Sequence, residues 1–299
     1  MEHIPAIRET PVLLLRRGMT NRAWPNNWRV RRPEGVRRAH GRPHRAEVLA
    51  LGDRHAARYG AGMVNYVLVA GARLGAWAWG EVVPYLRAAG HGVHPLTLSG
   101  LADKQGVPAG QATHVQDIVA EVERQGLRDV VLVGHSYSGI PVGQAAERIG
   151  DRLARVVFVD SSVPVDGESF LSAWPDGGAA VEASIAESGG FWPLAPASHF
   201  DGEGLTTEQI ARLVHGSTPH PGATLTEPAV LSGQLGELPA TYVLCVMPGT
   251  EPEDAEPDEV VAELVDSKCW RLVTMDTGHW PMFSRPHELA QILLDAAVE

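Results

Sequence analysis

Cys245 and Cys269 are the only cysteines in 299 residues. Two thiols cannot build a disulfide framework, and their surroundings do not suggest a metal site. Cys245 falls in an apolar run and reads as a small buried thiol. A reducing, cytoplasmic setting is the default expectation. Long apolar runs are missing too: none approaches the ~18 residues of a membrane helix. The one candidate secretory core, residues 12–15, is too short, and Glu2 and Glu9 precede it. No membrane contact is therefore expected. Lysine is scarce, with only Lys104 and Lys268. The formal charge of −11 argues against a nucleic-acid partner. The apolar share of 44% and charged share of 20% are those of a globular protein with a sizeable core.

The net charge hides an asymmetry. Residues 1–62 hold 13 arginines against 5 acidic residues, while residues 63–299 hold 12 basic and 31 acidic. The first segment shows no sustained period of 2 or 3.6 and is dense in Arg, Pro, Trp and His. Three readings compete for it. It is a basic interaction arm, an Arg-rich transit peptide, or an extension upstream of a domain that starts at Met63. The third is preferred, with residues 1–62 disordered and without function.

From residue 63 the chain alternates strand-like and helix-like segments. Strands are expected at 64–70, 93–98, 130–133, 155–160, 240–246 and 270–275. Helices are expected at 75–89, 112–125, 137–149, 258–265 and 286–298. This rhythm predicts an α/β fold: a mostly parallel sheet with helices on both faces. Residues 164–238 break it, being rich in Gly and Pro with one clear helix at 206–215. They read as a small cap over the carboxyl ends of the strands, where such sheets place their ligands.

The most informative stretch is Val130-Val131-Leu132-Val133-Gly134-His135-Ser136-Tyr137-Ser138-Gly139. An apolar strand stops at a glycine, a serine follows two residues later, and a helix begins at once. This is the sequence form of a nucleophile elbow. The sharp turn demands small residues two before and two after the nucleophile, here Gly134 and Ser138. Chance supplies about 0.3 such patterns in a chain of this length, so the context carries the weight.

A serine hydroxyl needs a base within reach, and the base needs an orienting acid. The base candidate is His279, in the loop after the last strand. His135, inside the elbow, reads as a packing residue. Acyl transfer also needs backbone donors for an oxyanion. Tyr137 N–H, just after the nucleophile, supplies one. The second is assigned to Ala72 N–H, in the loop after the first strand, where Gly71 allows close approach. Trp77 and Trp79 in that loop are helix core or pocket wall.

Five motifs together resemble the α/β-hydrolase superfamily. They are the Gly-Ala-…-Gly-Ala-Trp loop at 71–77, Gly-His-Ser-Tyr-Ser-Gly at 134–139, Val-Asp-Ser-Ser-Val-Pro-Val-Asp-Gly at 159–167, Tyr-Val-Leu-Cys at 242–245 and Gly-His-Trp-Pro-Met-Phe at 278–283. Together they span nearly the whole of residues 63–299. The chain is most similar to the small capped esterases that include the plant methyl-ester hydrolases and hydroxynitrile lyases, with their bacterial relatives.

Three departures stand out. The family's usual His-Gly at the oxyanion loop is Ala70-Gly71 here. Ser138 replaces the usual glycine. Pro248 stands where the family's acid follows the Tyr-Val-Leu-Cys strand. Two substitutes for the acid compete. Asp160 ends the strand after the elbow helix, a position used in some branches of the superfamily. Glu251 lies just past the gap, with Asp254 behind it. A dyad of Ser136 and His279 with no acid is the third option.

The resemblance implies a serine-dependent hydrolase of small carboxylic esters working through an acyl-enzyme, with no cofactor or metal. Its partner is a small ester, and a homodimer is left open. Phe191, Trp192, Leu194 and Phe200 in the cap suggest an apolar acyl or alcohol group. A hydroxynitrile lyase needs a lysine after the catalytic histidine, where this chain has Trp280. The missing acid motivates the other competitor, a non-catalytic binding protein on a hydrolase scaffold.

Overall fold

The computed structural model describes residues 62–250 and 256–298. Apart from Gly62, the expected N-terminal extension lies outside the described residues, as do Glu251 and Asp254. In chain order the strands are β1 (Asn65–Val69), β2 (Gly92–Leu96), β3 (Val130–His135), β4 (Leu153–Val159), β5 (Phe191–Trp192), β6 (His220–Pro221), β7 (Ala240–Cys245) and β8 (Trp270–Met275). Six of them form one sheet in the order β2-β1-β3-β4-β7-β8, and every neighbouring pair is parallel. The other two, β5 and β6, form a separate antiparallel pair.

The helices are α1 (Val83–Ala88), α2 (Gln111–Arg124), α3 (Gly139–Arg148), α4 (Ala179–Glu187), α5 (Thr207–Gly216), α6 (Ala223–Thr226), α7 (Glu259–Val265), α8 (Pro281–Ser284) and α9 (Pro286–Ala296). Side chains of a strand alternate between the two faces of its sheet, so a sheet covered on both sides needs apolar residues at every position. The central strands obey this. Val67, Leu132, Val156 and Phe158 enter one core with α2, α3 and α7. Their neighbours Tyr66, Leu68, Val131, Val133 and Val157 enter a second core with α1 and α9. All nine of these strand residues have 0% exposure, each worth ~1.5–3 kcal/mol of apolar burial. Phe158 stacks on Trp270 from β8, ring centroids 5.1 Å apart.

Two expectations need correction. The helix expected over 75–89 is two pieces: a 3-10 turn at Ala76–Trp79 and the short α1. Pro84 is the reason. It lacks an N–H and its ring clashes one turn back, so it is tolerated only in a first turn, and α1 starts around it. The region 164–238 holds more than one helix. It contains α4, α5, α6 and the β5–β6 pair. The α5 start was legible because Thr206 and Gln209 form a reciprocal capping box: Gln209 N–H donates to Thr206 Oγ1 (3.2 Å) and Thr206 N–H to Gln209 Oε1 (2.8 Å). Helix α4 carries no such signal, and only Ile185 of its nine residues is buried.

Candidate active site

Strand β3 ends at His135, and the chain turns through Ser136 into α3. Ser136 has φ +56°, a left-handed conformation that costs a non-glycine residue ~1–3 kcal/mol. Six described non-glycine residues share this sign of φ, and Ser136, Asp160 and Arg73 are three of them. The turn is tight. A Cβ on Gly134 would lie 3.0 Å from Val142 Cγ2, which explains the glycine before the serine. Ser138 does more than stay small. Its hydroxyl accepts from His135 N–H (2.8 Å) and donates to the carbonyl of Val69 (2.8 Å), stitching the elbow to β1.

His279 follows β8. Its Nδ1 lies 2.6 Å from Asp160 Oδ2 and its Nε2 lies 2.9 Å from Ser136 Oγ. A carboxylate only accepts, so Nδ1 carries the ring proton and Nε2 presents its lone pair to the serine O–H. Asp160 Oδ1 accepts from Cys245 N–H at 3.0 Å, which fixes the carboxylate across the ends of β4 and β7. These strands are neighbours in the sheet, with Val159 opposite Val243. An acid at the end of β4 therefore reaches the place that an acid after β7 would serve. Pro248 costs this site nothing that Asp160 does not restore. Glu251, the competing acid, lies outside the described residues.

The structure adds residues that sequence reasoning did not single out. Glu203 of the cap accepts from His279 N–H at 2.8 Å, holding the histidine loop from above. His135 donates its Nε2–H to the carbonyl of His279 (2.7 Å), and the two rings lie 4.8 Å apart. Burial, and then the nearby His279, push the pKa of His135 down to about 3, so it stays neutral. It packs and straps the loop, and does not compete as a base. Trp280 stands edge-on to His279 (5.0 Å) and packs on Phe200 of the cap (4.8 Å).

The loop after β1 lies against Ser136. A Cβ on Gly71 would meet Ser136 Cβ at 2.8 Å and His135 Nδ1 at 2.9 Å, so only glycine fits there. Ala72 follows directly. Tyr137 N–H lies in the first turn of its helix, where amides lack an intrahelical acceptor. The loop is tied to the cap. Arg73 N–H donates to His220 Nδ1 (3.0 Å), Thr218 N–H donates to the Arg73 carbonyl (2.9 Å), and Arg73 Nε donates to the Pro193 carbonyl (2.8 Å).

A buried polar chain backs this arrangement. His220 accepts a hydrogen bond at Nδ1, so its Nε2–H donates to Thr224 Oγ1 at 2.8 Å. The ring of His220 packs on that of Tyr137 (4.6 Å), whose hydroxyl meets His114 Nδ1 at 2.8 Å. His114 Nε2–H is given to the Ser99 carbonyl (2.8 Å). Of the expected pocket residues, Trp79 is core and fully buried, while Phe191 and Leu194 are exposed at 39% and 47%. Phe200 is buried, and Trp77 packs on Phe283.

Among the described residues, no helix is long and apolar enough to cross a membrane. Residues 66–292 match the model of the family described as the alpha/beta hydrolase family. A carbendazim hydrolyzing esterase from Nocardioides sp. is 31% identical over 246 residues, covering 77% of this chain and 98% of that protein. Methylesterase 9 of Arabidopsis thaliana is 27% identical over 263 residues, covering 79% and 98%. Among solved structures, an extracellular alpha/beta-hydrolase from a Paenibacillus species superposes with a TM-score of 0.68 at 22% identity, covering 78% of this chain and 98% of that one.

Two outcomes follow from the geometry. In Gly71→Ala the new methyl must displace Ser136 or His135. Reaction of Ser136 with a fluorophosphonate should slow by ~10-fold or more, while circular dichroism stays unchanged. The second concerns acid. Burial holds His114 near pKa 4 and His220 well below 6.5, and His135 is held near 3. Unfolded, these rings protonate near 6.5, so the unfolded chain binds more protons between that value and the folded ones. Stability is full above about pH 6.5 and falls as pH drops, by up to ~1.4 kcal/mol per pH unit for each ring. Urea midpoints measured from pH 8 to pH 4.5 should be flat above 6.5 and decline below it.

Proposed function

The chain belongs to the α/β hydrolase family, and from that premise we propose that it is a serine-dependent hydrolase of small carboxylic esters. The observation that carries the reading is the unbroken chain of contacts from Asp160 through His279 to Ser136. Ser136 Oγ attacks the ester carbonyl as His279 Nε2 takes its proton. Asp160 holds the ring in the required tautomer and stabilises the imidazolium that forms. The amides of Ala72 and Tyr137 hold the negative oxygen of the tetrahedral intermediate. His279 returns the proton to the leaving alcohol, and an acyl group stays on Ser136. Water then enters by the same route, activated by His279, and releases the acid.

The names of the relatives agree in class, since both the Nocardioides and the Arabidopsis proteins are called esterases. The binding-protein alternative rested on a missing acid, and Asp160 at 2.6 Å from His279 removes its motive. The lyase alternative gains nothing from Trp280, which offers no cation beside the base.

Wild-type protein should release p-nitrophenol from short p-nitrophenyl esters, and Ser136→Ala should lower kcat by ~10³-fold or more. A fluorophosphonate should label the wild type with one equivalent and leave the variant unlabelled. Undiminished hydrolysis by the variant would sink the proposal.

A further inference from the structure

Arg73 carries a charge that no carboxylate among the described residues pairs with. It sits one residue past Ala72, in a left-handed conformation with φ +69°. Gly71 touches Ser136, and two residues of backbone span at most ~7 Å, so Arg73 enters beside the reacting serine. Its guanidinium lies over the ring of Trp192, 3.4 Å from the centroid, with Nε bound to the Pro193 carbonyl. These contacts fix the plane of the group and occupy one of its five N–H donors. Among the described residues, no carboxylate forms an ion pair with Arg73. Burial alone pushes its pKa down to about 10, with no acidic group offsetting it. It stays charged at neutral pH.

His199 of the cap marks where that charge is felt. Its pKa is held near 4 by burial first, then by Arg73, then by His279. The guanidinium and the imidazole of His279 therefore both act on one group, His199. A partly buried cation without a counter-ion is less well solvated than one in water, and an anion on a ligand would offset that. A planar group whose terminal nitrogens make no hydrogen bond among the described residues suits a carboxylate, which it can bind through two parallel hydrogen bonds.

We propose that Arg73 is a specificity-determining residue that binds a carboxylate on the substrate, so that the preferred esters are half-esters of small dicarboxylic acids. The idea rests on the esterase reading above and deepens it. The scissile carbonyl occupies the oxyanion donors of Ala72 and Tyr137. The free carboxylate, a few bonds away, faces the Arg73 guanidinium under the cap.

Monomethyl and dimethyl glutarate test this, because they share one chain and differ in a single masked carboxylate. Methanol release is followed for each, with the succinate and adipate pairs covering other lengths. Wild-type protein should favour the monomethyl ester of at least one length by ~10-fold or more in kcat/KM. In Arg73→Met that ratio should fall by ~10–100-fold, the usual worth of a hydrogen bond to a charged group, and Arg73→Lys should fall between. If Arg73 serves only as a clasp between loop and cap, both esters decline together and the ratio holds, which overturns the proposal. Should the variants not fold, wild-type inhibition decides. Glutarate should inhibit competitively at concentrations ~10-fold below pentanoate, and equal inhibition overturns the proposal. If the dimethyl ester is hydrolysed but no preference depends on Arg73, this assignment alone falls. If neither ester is hydrolysed while short p-nitrophenyl esters are, the carboxylate site falls and the esterase reading stands; if no ester of either kind is hydrolysed, both fall.

Discussion

A hydroxyl does not attack an ester at neutral pH without a base aimed at it, and an imidazole does not keep its aim unaided. In the proposed reaction that aim comes from the 2.6 Å contact between Asp160 and His279. It sets the tautomer, points Nε2 at Ser136, and provides the negative charge that a protonated ring needs. Each other feature of the site can be traced to the need to hold these three groups. The sheet places the ends of β3 and β4 side by side, with His135 opposite Val159. Ser136 and Asp160 both leave those ends with positive φ, turning their side chains toward one point. His279 comes back to that point from the loop after β8. Strain in the two turns is sustained because fully buried strands on either side determine them.

The cap does not simply lie over this machinery. Glu203 grips the His279 amide, and His220 grips the Arg73 amide. The loop that carries His279 and the loop after β1 are thus each fixed by a side chain from the insert between β4 and β7. His135 adds a third restraint from below, through the His279 carbonyl. A site assembled from loops has the positional precision of its fastenings, and these come from both the sheet and the cap.

Ser136 and His279 were legible in the sequence because their signals are local. A strand, a small-residue turn and a helix follow one another within ten residues, and the histidine falls just past the last strand. The acid was ambiguous for a physical reason. Asp160 and the segment after β7 lie about 85 residues apart in the chain, and only the pairing of β4 with β7 makes their ends equivalent. Glu203 and His220 were invisible for the same reason, since their contacts span 76 and 147 residues. Nothing in Asp201-Gly202-Glu203-Gly204 announces a role. The helix at 75–89 was overextended because apolar spacing outweighed Pro84, whose lost N–H restricts it to a first turn. The sheet was legible almost strand by strand, because strands buried on both faces must be continuously apolar.

The central claim is that Asp160, and not a residue after β7, orients the base. Steady-state hydrolysis by Asp160→Asn and Glu251→Gln, measured side by side on one short ester, tests it most directly. An asparagine keeps the shape but offers its hydrogen bond to the wrong tautomer, so kcat should fall by ~10²–10⁴-fold with KM little changed. Glu251→Gln should stay within ~3-fold of wild type, because Asp160 already holds Nδ1 of His279. Near-normal turnover in Asp160→Asn, or a collapse in Glu251→Gln, would contradict the account.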